Sequence, residues 1–502
     1  MMGVGEEQME PALQVIVLGS GGGPQESNTT AFLVRSVAQN WHRGSVIAVD
    51  AGVHLSSITR IIEGSIPSPT PSPPFTLTSG PFAGLELPYS SASANAAHIT
   101  RSLVDTYLIT HPHLDHISGF VVNTAGLPGS RPKKLASLPS TIQAFKTHIF
   151  NNVIWPNLSD ENNGAGLVTY MRLVEGGSPA VGDGEGRGYI EVADGLLVKI
   201  WSVSHGHCME RHSHRGSASS ASPRFGSHDG SSMQTPRRDG YNHGVSAPRT
   251  ASLLSQATLG PGSPQDNQER ICVYDSSAYF IQDHATHREV LIFGDVEPDS
   301  ISLSPRNLQI WQEAAPKIAG GSLRAIFIEC SYDDSQCNDR LFGHLKPVFV
   351  IEELRILAGE VDVAGKTRSL DTKKRKRMGS TADEAPRRNP SLNLAPDDPV
   401  SPKTVKASSS DLMYPGPETP PTPHLTTPTA ELSLKEAESF TSVPVVRRPL
   451  EGLKVVIIHV KDRLTDGPDV GDVILEQLQE YEREARLGCE FVISKPGQSF
   501  YL

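Results

Sequence analysis

Five short apolar segments, far apart in this chain, each end on a histidine or an aspartate or lead directly into one. The segments are rich in Val, Ile and Leu and have the length of buried β-strands. The polar residues that follow them are Asp50, the run His111-Pro112-His113-Leu114-Asp115-His116, His205, Asp295 and His459. Strand ends at one edge of a sheet lie close together even when they are distant in sequence. The pattern therefore predicts a β-rich fold that gathers imidazoles and carboxylates at one sheet edge.

The run His111 to His116 has the residue types and the spacing of a divalent-metal site. Imidazole nitrogen and carboxylate oxygen are ligands that suit zinc and similar ions. His111 and His113 point the same way in an extended segment, so we expect them to bind one ion, while Asp115 and His116 continue toward a second. A histidine pair in a loop is often merely solvated. Three histidines and an aspartate within six residues, placed after a buried strand, are far more specific.

Three further strand-end residues complete the predicted pair of sites. His205 is the expected third ligand of the first ion, His459 a ligand of the second, and Asp295 a bridge between both. His207 lies on the same face of its segment as His205 and is an alternative ligand. Taken alone, Asp295 fits a turn residue equally well, and His459 fits a buried core histidine. Asp50 is expected either to cap the following loop or to hydrogen-bond a metal-bound histidine.

The charge balance and the cysteines narrow the class of protein. The 502 residues include 45 basic and 56 acidic side chains, a net charge of −11. This balance disfavours a nucleic-acid partner, which requires Lys and Arg along a phosphate backbone. A small anionic substrate is still compatible because bound metal ions reverse the local sign of charge. The five cysteines are scattered and have no CxxC spacing, so they indicate neither a disulfide framework nor a thiolate zinc site.

The sequence also lacks the features of membrane and secreted proteins. No apolar run approaches the roughly 20 residues that span a bilayer. The segment Met1 to Pro11 contains several glutamates and does not resemble a secretory signal. We therefore expect a cytoplasmic protein without a membrane partner. The basic run Lys373 to Arg377 is a candidate nuclear address, and the oligomeric state stays open.

Composition divides the chain into ordered and low-complexity parts. Residues 12–502 are interpreted as a single metal-dependent hydrolase domain that follows an N-terminal tail at 1–11. Ser and Pro crowd into a loop at 65–92. Two longer segments, 211–270 and 360–444, contain too few apolar residues to form a core and are predicted to be disordered insertions.

The metal-binding run and the residues after it resemble a known family. The segment His111 to Ala125, HPHLDHISGFVVNTA, contains the HxHxDH signature of the metallo-β-lactamase superfamily and, more narrowly, is similar to the motif of class II, fungal-type, low-affinity 3′,5′-cyclic-nucleotide phosphodiesterases. Phe120 and Thr124 depart from that motif conservatively. Other similar segments are Gly19 to Val34, Ser204 to Gly206, Phe293 to Asp295, Ile328 to Ser331, Leu341 to Leu345 and Ile458 to Lys461.

The resemblance implies a fold, a cofactor and a reaction. The fold would be an α/β protein of the αββα sandwich type, with two facing mixed sheets, helices outside and the metal site at one edge. The cofactor would be two divalent ions, in the first instance Zn²⁺. The reaction would be hydrolysis of 3′,5′-cyclic AMP, and of cyclic GMP, to the nucleoside 5′-monophosphate. Such ions, about 3.5 to 4 Å apart, lower the pKa of bound water and stabilise charge at phosphorus.

The resemblance also suggests catalytic residues and rival functions. Asp115 and His344 are the candidates, His344 as a phosphate contact or as the general acid for the leaving 3′ oxygen. The alternative is that His344 only starts a helix and packs against the sheet. Glu329, a carboxylate that closes a buried strand, is a weaker candidate for a supporting role. The rival functions are a tRNA 3′-processing phosphodiesterase of the same fold and a catalytically dead regulatory homologue.

Overall fold

The computed structural model describes residues 10–129, 131–182, 184, 187–210, 270–379 and 448–502. The chain divides into two compact units. The first, Met1–Gly365 with Arg448–Leu502, contains both large sheets and every candidate site residue. Of the second, Lys366–Arg447, only residues 366–379 are described, and they are helical. The interpretation of residues 12–502 as one domain stays a prediction.

The first sheet has seven strands and is mixed. Its strands are β1 (Leu13–Gly19), β2 (Ala31–Ser36), β3 (Val46–Ala51), β6 (Val104–Leu108), β7 (Lys133–Ser137), β8 (Val168–Arg172) and β16 (Ser499–Tyr501). Their order across the sheet is β16-β1-β2-β3-β6-β7-β8. The pairs from β16 to β3 are antiparallel, and those from β3 to β8 are parallel. The carboxyl ends of β3 and β6 therefore reach the same edge.

The second sheet has the same size and is also mixed. Its strands are β9 (Ile190–Ala193), β10 (Leu196–Glu210), β11 (Arg270–Asp283), β12 (Glu289–Phe293), β13 (Leu323–Glu329), β14 (Lys454–Ile458) and β15 (Glu490–Ile493). The order is β15-β14-β13-β12-β11-β10-β9, with parallel pairs from β12 to β15. The carboxyl ends of β12, β13 and β14 are therefore neighbours.

Alternation along the strands produces three apolar layers. In β1, Val15 and Val17 pack between the sheets, whereas Ile16 and Leu18 face an outer core. That outer core is covered by α1 (Leu55–Ser65), α2 (Ala92–His98), α3 (Leu114–Gly126) and α4 (Pro139–Ala144). The opposite core is covered by α5 (Asn307–Gly320), α6 (Pro347–Gly379) and α7 (Val470–Ala485). Two facing mixed sheets with helices over both outer faces thus confirm the predicted αββα sandwich.

Two segments interpreted as low-complexity contain regular structure. The loop at 65–92 includes a short hairpin, β4 (Phe75–Thr76) with β5 (Glu86–Leu87), and it buries Phe75 and Phe82 in the outer core of the first sheet. Helix α6 continues through residues 360–379, and Val361 at the start of this stretch is buried in the core of the second sheet. The composition did not predict this part of the helix because the residues beyond Val361 are mostly polar or charged.

The remaining low-complexity predictions fall largely outside the described residues. These are residues 1–9 of the tail, 211–269 of the first insertion and 380–444 of the second. Arg270 begins β11, and the basic run Lys373 to Arg377 lies in the last part of α6. No helix within the described part of the chain is long and apolar enough to cross a membrane.

Candidate metal centre

The candidate ligands meet at the edge where the strands of both sheets end. The run His111 to His116 follows β6 and includes the first residues of α3, Asp295 follows β12, and His459 follows β14. His205 lies within β10, at a bulge in its pairing with β11. Sequence-distant strand ends thus converge as the apolar pattern predicts.

One group of side chains consists of His111, His113, His205 and Asp295. The Nε2 atom of His111 lies 3.0 Å from Nδ1 of His113 and 3.6 Å from Oδ2 of Asp295. Nε2 of His205 lies 3.4 Å from the same carboxylate oxygen. Two imidazole nitrogens therefore face Oδ2 of Asp295, and the ligand atom of His113 lies within 4.8 Å of the others, which is the arrangement expected for the first ion.

A second group consists of Asp115, His116, Asp295 and His459. Here Oδ1 of Asp295 lies 3.2 Å from Nε2 of His116 and 3.2 Å from Nε2 of His459. Nε2 of His459 is also 3.2 Å from Oδ2 of Asp115. The two oxygens of Asp295 thus face different groups, as the predicted bridging role requires.

The chemistry of these donors fits divalent cations. In each group the four ligand atoms lie within 4.8 Å of one another. Among the described residues, the buried Oδ1 atom of Asp295 has no hydrogen-bond partner, although two imidazole nitrogens face it. A buried carboxylate oxygen without a partner is costly. Metal ions would satisfy both this oxygen and the converging imidazoles, and nitrogen with oxygen donors suits zinc.

Hydrogen bonds behind the rings hold most of the histidines with Nε2 facing inward. The contacts to Nδ1 are Asp50 Oδ2 to His116 (2.8 Å), Gly343 O to His205 (2.9 Å), Ser331 Oγ to His459 (3.0 Å) and Thr110 Oγ1 to His111 (3.0 Å). Such outer contacts set the tautomer and the orientation of metal-binding imidazoles.

Asp50 is the most connected of these supporting residues. It accepts hydrogen bonds from the backbone N–H and the hydroxyl of Thr110, both at 2.8 Å, as well as from His116. Asp50 and His459 have left-handed backbones, with φ of 52° and 58°. Such conformations cost roughly 1 kcal/mol or more for residues other than glycine and concentrate at functional sites. Asp50 therefore hydrogen-bonds both a candidate ligand, His116, and the residue that precedes the histidine run, Thr110.

Charge on the acidic members is stabilised by the histidines around them. Burial opposes ionisation of Asp295, but His459, His116 and the other imidazoles outweigh it and hold its pKa well below the ordinary value. Burial also opposes ionisation of Asp115, but the hydrogen bond from His459 and the nearby His116 outweigh it and lower the pKa of Asp115. Burial also opposes charge on His116, yet Asp295 and Asp50 raise its pKa well above the usual range.

Glu329 and His344 form a buried pair beside the cluster. Nδ1 of His344 lies 3.0 Å from both oxygens of Glu329, and the pair forms a third group with His205 and Asp295. Burial, with Asp295 adding to it, raises the pKa of Glu329 to about 7, whereas burial lowers the pKa of His344 to about 4. Nδ1 of His344 is thus engaged by Glu329, and Nε2 is the nitrogen left for another partner.

Comparison with known proteins agrees with this architecture. The sequence model of the family described as class-II cAMP phosphodiesterases matches residues 13–177, 262–374 and 430–497, more than half of the chain. The chain belongs to the class-II cAMP phosphodiesterase family. A 3′,5′-cyclic-nucleotide phosphodiesterase of Schizosaccharomyces pombe is 27% identical over 363 residues, 71% of this chain and 78% of that protein. One of Candida albicans is 27% identical over 381 residues, with 70% and 83% covered.

A solved structure supports the fold of this class-II phosphodiesterase family member. The crystal structure of unliganded yeast PDE1 is 18% identical, with a TM-score of 0.56, and covers 98% of this chain and 100% of that one. At this identity the likeness supports the fold alone.

In this member of the family the cluster of candidate metal ligands opens on one side. His113 and Leu114 are exposed and the side chain of Asp115 is 29% exposed, whereas His111 and His116 are buried. His205 is also buried within the cluster, but His207 is exposed and belongs to none of the metal-compatible groups found in the described residues. The geometry thus favours His205 over His207 as the ligand.

The glycine-rich turn after β1 packs directly against the cluster. A Cβ atom on Gly22 would lie 2.4 Å from Nδ1 and Cε1 of His459. The turn is held there because the N–H of Gly22 donates to Val460 O, at 3.0 Å, and Lys461 Nζ donates to Gly22 O, at 2.9 Å. Glycine is required here by the close approach of a candidate metal ligand.

Three supporting hydroxyl residues were not identified from the sequence: Thr110, Ser276 and Ser331. Ser276 Oγ lies 3.4 Å from Nδ1 of His111, and Ser331 Oγ also donates to Glu329, at 2.6 Å. A single Ser or Thr has no sequence pattern that marks it as part of a site. The useful signal for Thr110 and Ser331 is proximity, since Thr110 directly precedes His111 and Ser331 lies two residues after Glu329.

Proposed function

We propose that this protein hydrolyses 3′,5′-cyclic AMP, and also cyclic GMP, to the nucleoside 5′-monophosphate with the help of two divalent metal ions. The observation that carries the proposal is the bridging position of Asp295, whose two oxygens face separate groups of imidazoles. Membership of the class-II cAMP phosphodiesterase family and the names of the fungal relatives support the choice of substrate.

The proposed ligands follow the two groups of side chains described above. One ion would be held by His111, His113 and His205, and the other by Asp115, His116 and His459. Asp295 would contact both ions. When bound, such ions lower the pKa of water and neutralise charge that develops on phosphorus. Because nitrogen donors outnumber oxygen donors in this set, we propose Zn²⁺ as the native metal.

His344 is the proposed general acid. Glu329 occupies Nδ1 of the imidazole. With its carboxyl protonated, the form that its raised pKa favours, Glu329 donates to Nδ1, and Nε2 then carries the proton that a substrate can receive. As hydroxide bonds to phosphorus and the bond from phosphorus to the 3′ oxygen breaks, the proton on Nε2 passes to that oxygen, and Nδ1 takes up the proton of the Glu329 carboxyl. Asp115 is the proposed catalytic carboxylate because it is the partly exposed acidic ligand at the open side.

An assay of cyclic AMP hydrolysis with and without chelator tests the proposal. The product is identified chromatographically as the 5′- or the 3′-monophosphate. Asp115→Ala is expected to lower kcat/KM by at least about 100-fold, whereas Asp362→Ala, at an exposed position of α6, leaves it unchanged. Hydrolysis that survives chelator and Asp115→Ala overturns the mechanism. Cleavage of precursor tRNA without hydrolysis of cyclic AMP would instead identify a processing nuclease. A protein that binds metal but has neither activity would be a catalytically dead homologue.

The remaining parts of the proposal concern partners and location. The net charge of −11 favours a small-molecule substrate over a nucleic acid. We propose a cytoplasmic location, with Lys373 to Arg377 as the candidate nuclear address. Microscopy of a tagged protein, with and without replacement of that run by alanines, tests this choice.

A further inference from the structure

Two exposed aromatic side chains stand beside the open side of the metal cluster. The first is Tyr274, which is 44% exposed, and its ring centroid lies 6.3 Å from that of the exposed ligand His113. Tyr274 is two residues before Ser276, whose hydroxyl contacts His111. Residues two apart in a strand share a face, so the backbone directs the Tyr274 side chain toward the cluster.

A β-bulge in the neighbouring strand fixes this position. Ser204 pairs with Asp275 and His207 with Val273, so the two intervening residues, His205 and Gly206, lie opposite Tyr274 alone. Bulges of this kind redirect side chains beside active sites. Here the bulge turns His205 into the cluster and places Tyr274 next to it.

The second aromatic residue is Phe342, which is 71% exposed and has a φ of 53°. A left-handed backbone is unusual for a bulky residue. Leu341 before Phe342 and His344 after it are both buried, so the chain on either side of Phe342 is held in place. The next residue, Gly343, accepts a hydrogen bond from His205 and packs on Gly206. A Cβ atom on Gly206 would lie only 3.2 Å from Cα of Gly343.

The backbone contact between Gly206 and Gly343 therefore places the backbone of Phe342 beside the bulge that lies opposite Tyr274. Neither aromatic side chain is buried in the apolar cores, so core packing does not account for them. Exposed aromatic rings are the usual platforms for nucleobases because every base has a flat apolar face. A cyclic nucleotide with its phosphate at the ions extends its ribose and base out of the cluster, where these rings lie.

We propose that Tyr274 and Phe342 together bind the purine base of the substrate, with Tyr274 stacking on it and Phe342 bounding the same space. This inference rests on the proposed function, since it assigns the base-binding part of that substrate site. The two residues position the base and take no part in proton transfer. Their contribution is expected mainly in KM, because the base contact is the same in the ground state and in the transition state.

The test compares two substrates in steady-state kinetics. One is cyclic AMP, and the other is the methyl riboside 3′,5′-cyclic phosphate, which has the reacting phosphate and ribose but no base. Tyr274→Ala is expected to raise KM for cyclic AMP by about 5- to 100-fold with little change in kcat, and to leave KM for the base-free substrate unchanged. Tyr274→Phe, which keeps the ring, is expected to restore the KM for cyclic AMP.

Phe342→Gly separates base binding from a role in the turn. Glycine adopts a positive φ without strain, so this variant is expected to be at least as stable as the wild type. If Phe342 contacts the base, KM for cyclic AMP still rises. Tyr89→Ala is the matched control, because Tyr89 is similarly exposed, at 49%, and its ring packs beside His98 in the outer helical layer.

Each outcome has a distinct meaning. An increase of KM confined to cyclic AMP in both Tyr274→Ala and Phe342→Gly supports the proposal. An unchanged KM for cyclic AMP in either variant, or an equal increase for the base-free substrate, overturns it while the proposed function stands. A wild-type protein that hydrolyses neither substrate overturns the proposed function, and this inference falls with it.

Discussion

Replacement of Gly22 by alanine tests whether the position of His459 controls metal binding and hydrolysis. The added Cβ would lie 2.4 Å from Nδ1 and Cε1 of His459, whereas ordinary contacts begin at 3.4 Å. The glycine turn cannot easily retreat because Val460 and Lys461 hold Gly22 on both sides. The imidazole must therefore move by about 1 Å, away from its place beside Asp295.

A displacement of this size has a predictable cost. Misplacement of a catalytic group by about 1 Å lowers activity about 100-fold, and overpacking of a buried site costs about 1 to 3 kcal/mol of stability. We expect Gly22→Ala to fold, to lose about 100-fold in kcat/KM for cyclic AMP and to bind the second ion more weakly.

The assays are steady-state hydrolysis, zinc affinity by chelator competition and thermal unfolding. Gly64→Ala in α1 is the matched control, since a Cβ there meets nothing within 4 Å and alanine stabilises a helix by about 1 kcal/mol relative to glycine. If Gly22→Ala keeps kcat/KM and zinc affinity within about threefold of wild type, the reasoning about His459 is refuted.

Two further predictions concern supporting residues. Asp50→Asn removes the charge that holds Nδ1 of His116, so metal affinity measured by chelator competition is expected to fall about 10- to 100-fold; unchanged affinity would contradict this role. His54 is buried, and burial together with Lys133 lowers its pKa from 6.5 to about 3. Because the unfolded state then binds the proton more tightly, stability is fully present above pH 6.5 and is lost as the pH falls toward 3. Between pH 6.5 and 5, wild type is expected to lose about 2 kcal/mol more of its unfolding free energy than His54→Gln. Equal losses in urea titrations at the two pH values would show that His54 does not contribute.

Much of the metal centre could be predicted because its ligands carry strong local signals. The run His111 to His116 follows an apolar strand, and Asp295 and His459 each close another. Parallel pairing of β12, β13 and β14 then brings such ends together without further information. The αββα layers follow from alternating apolar positions combined with the family resemblance.

Other features depend on contacts that no local pattern records. Ser331 orients His459 from more than a hundred residues away. Phe342 gains its significance from a backbone contact between Gly206 and Gly343, which only the folded chain reveals. The hairpin within residues 65–92 was missed because prolines and serines outnumber the few apolar residues, such as Phe82, that anchor it.

The central claim is that two metal ions, bridged by Asp295, are required for hydrolysis of cyclic AMP. Titration of metal-depleted full-length protein with Zn²⁺, with bound metal and initial rate measured on the same samples, tests it most directly. The account predicts that activity is absent in the metal-free protein and reaches its maximum at about two ions per chain. Full activity without bound metal, or a maximum at about one ion per chain, would contradict it.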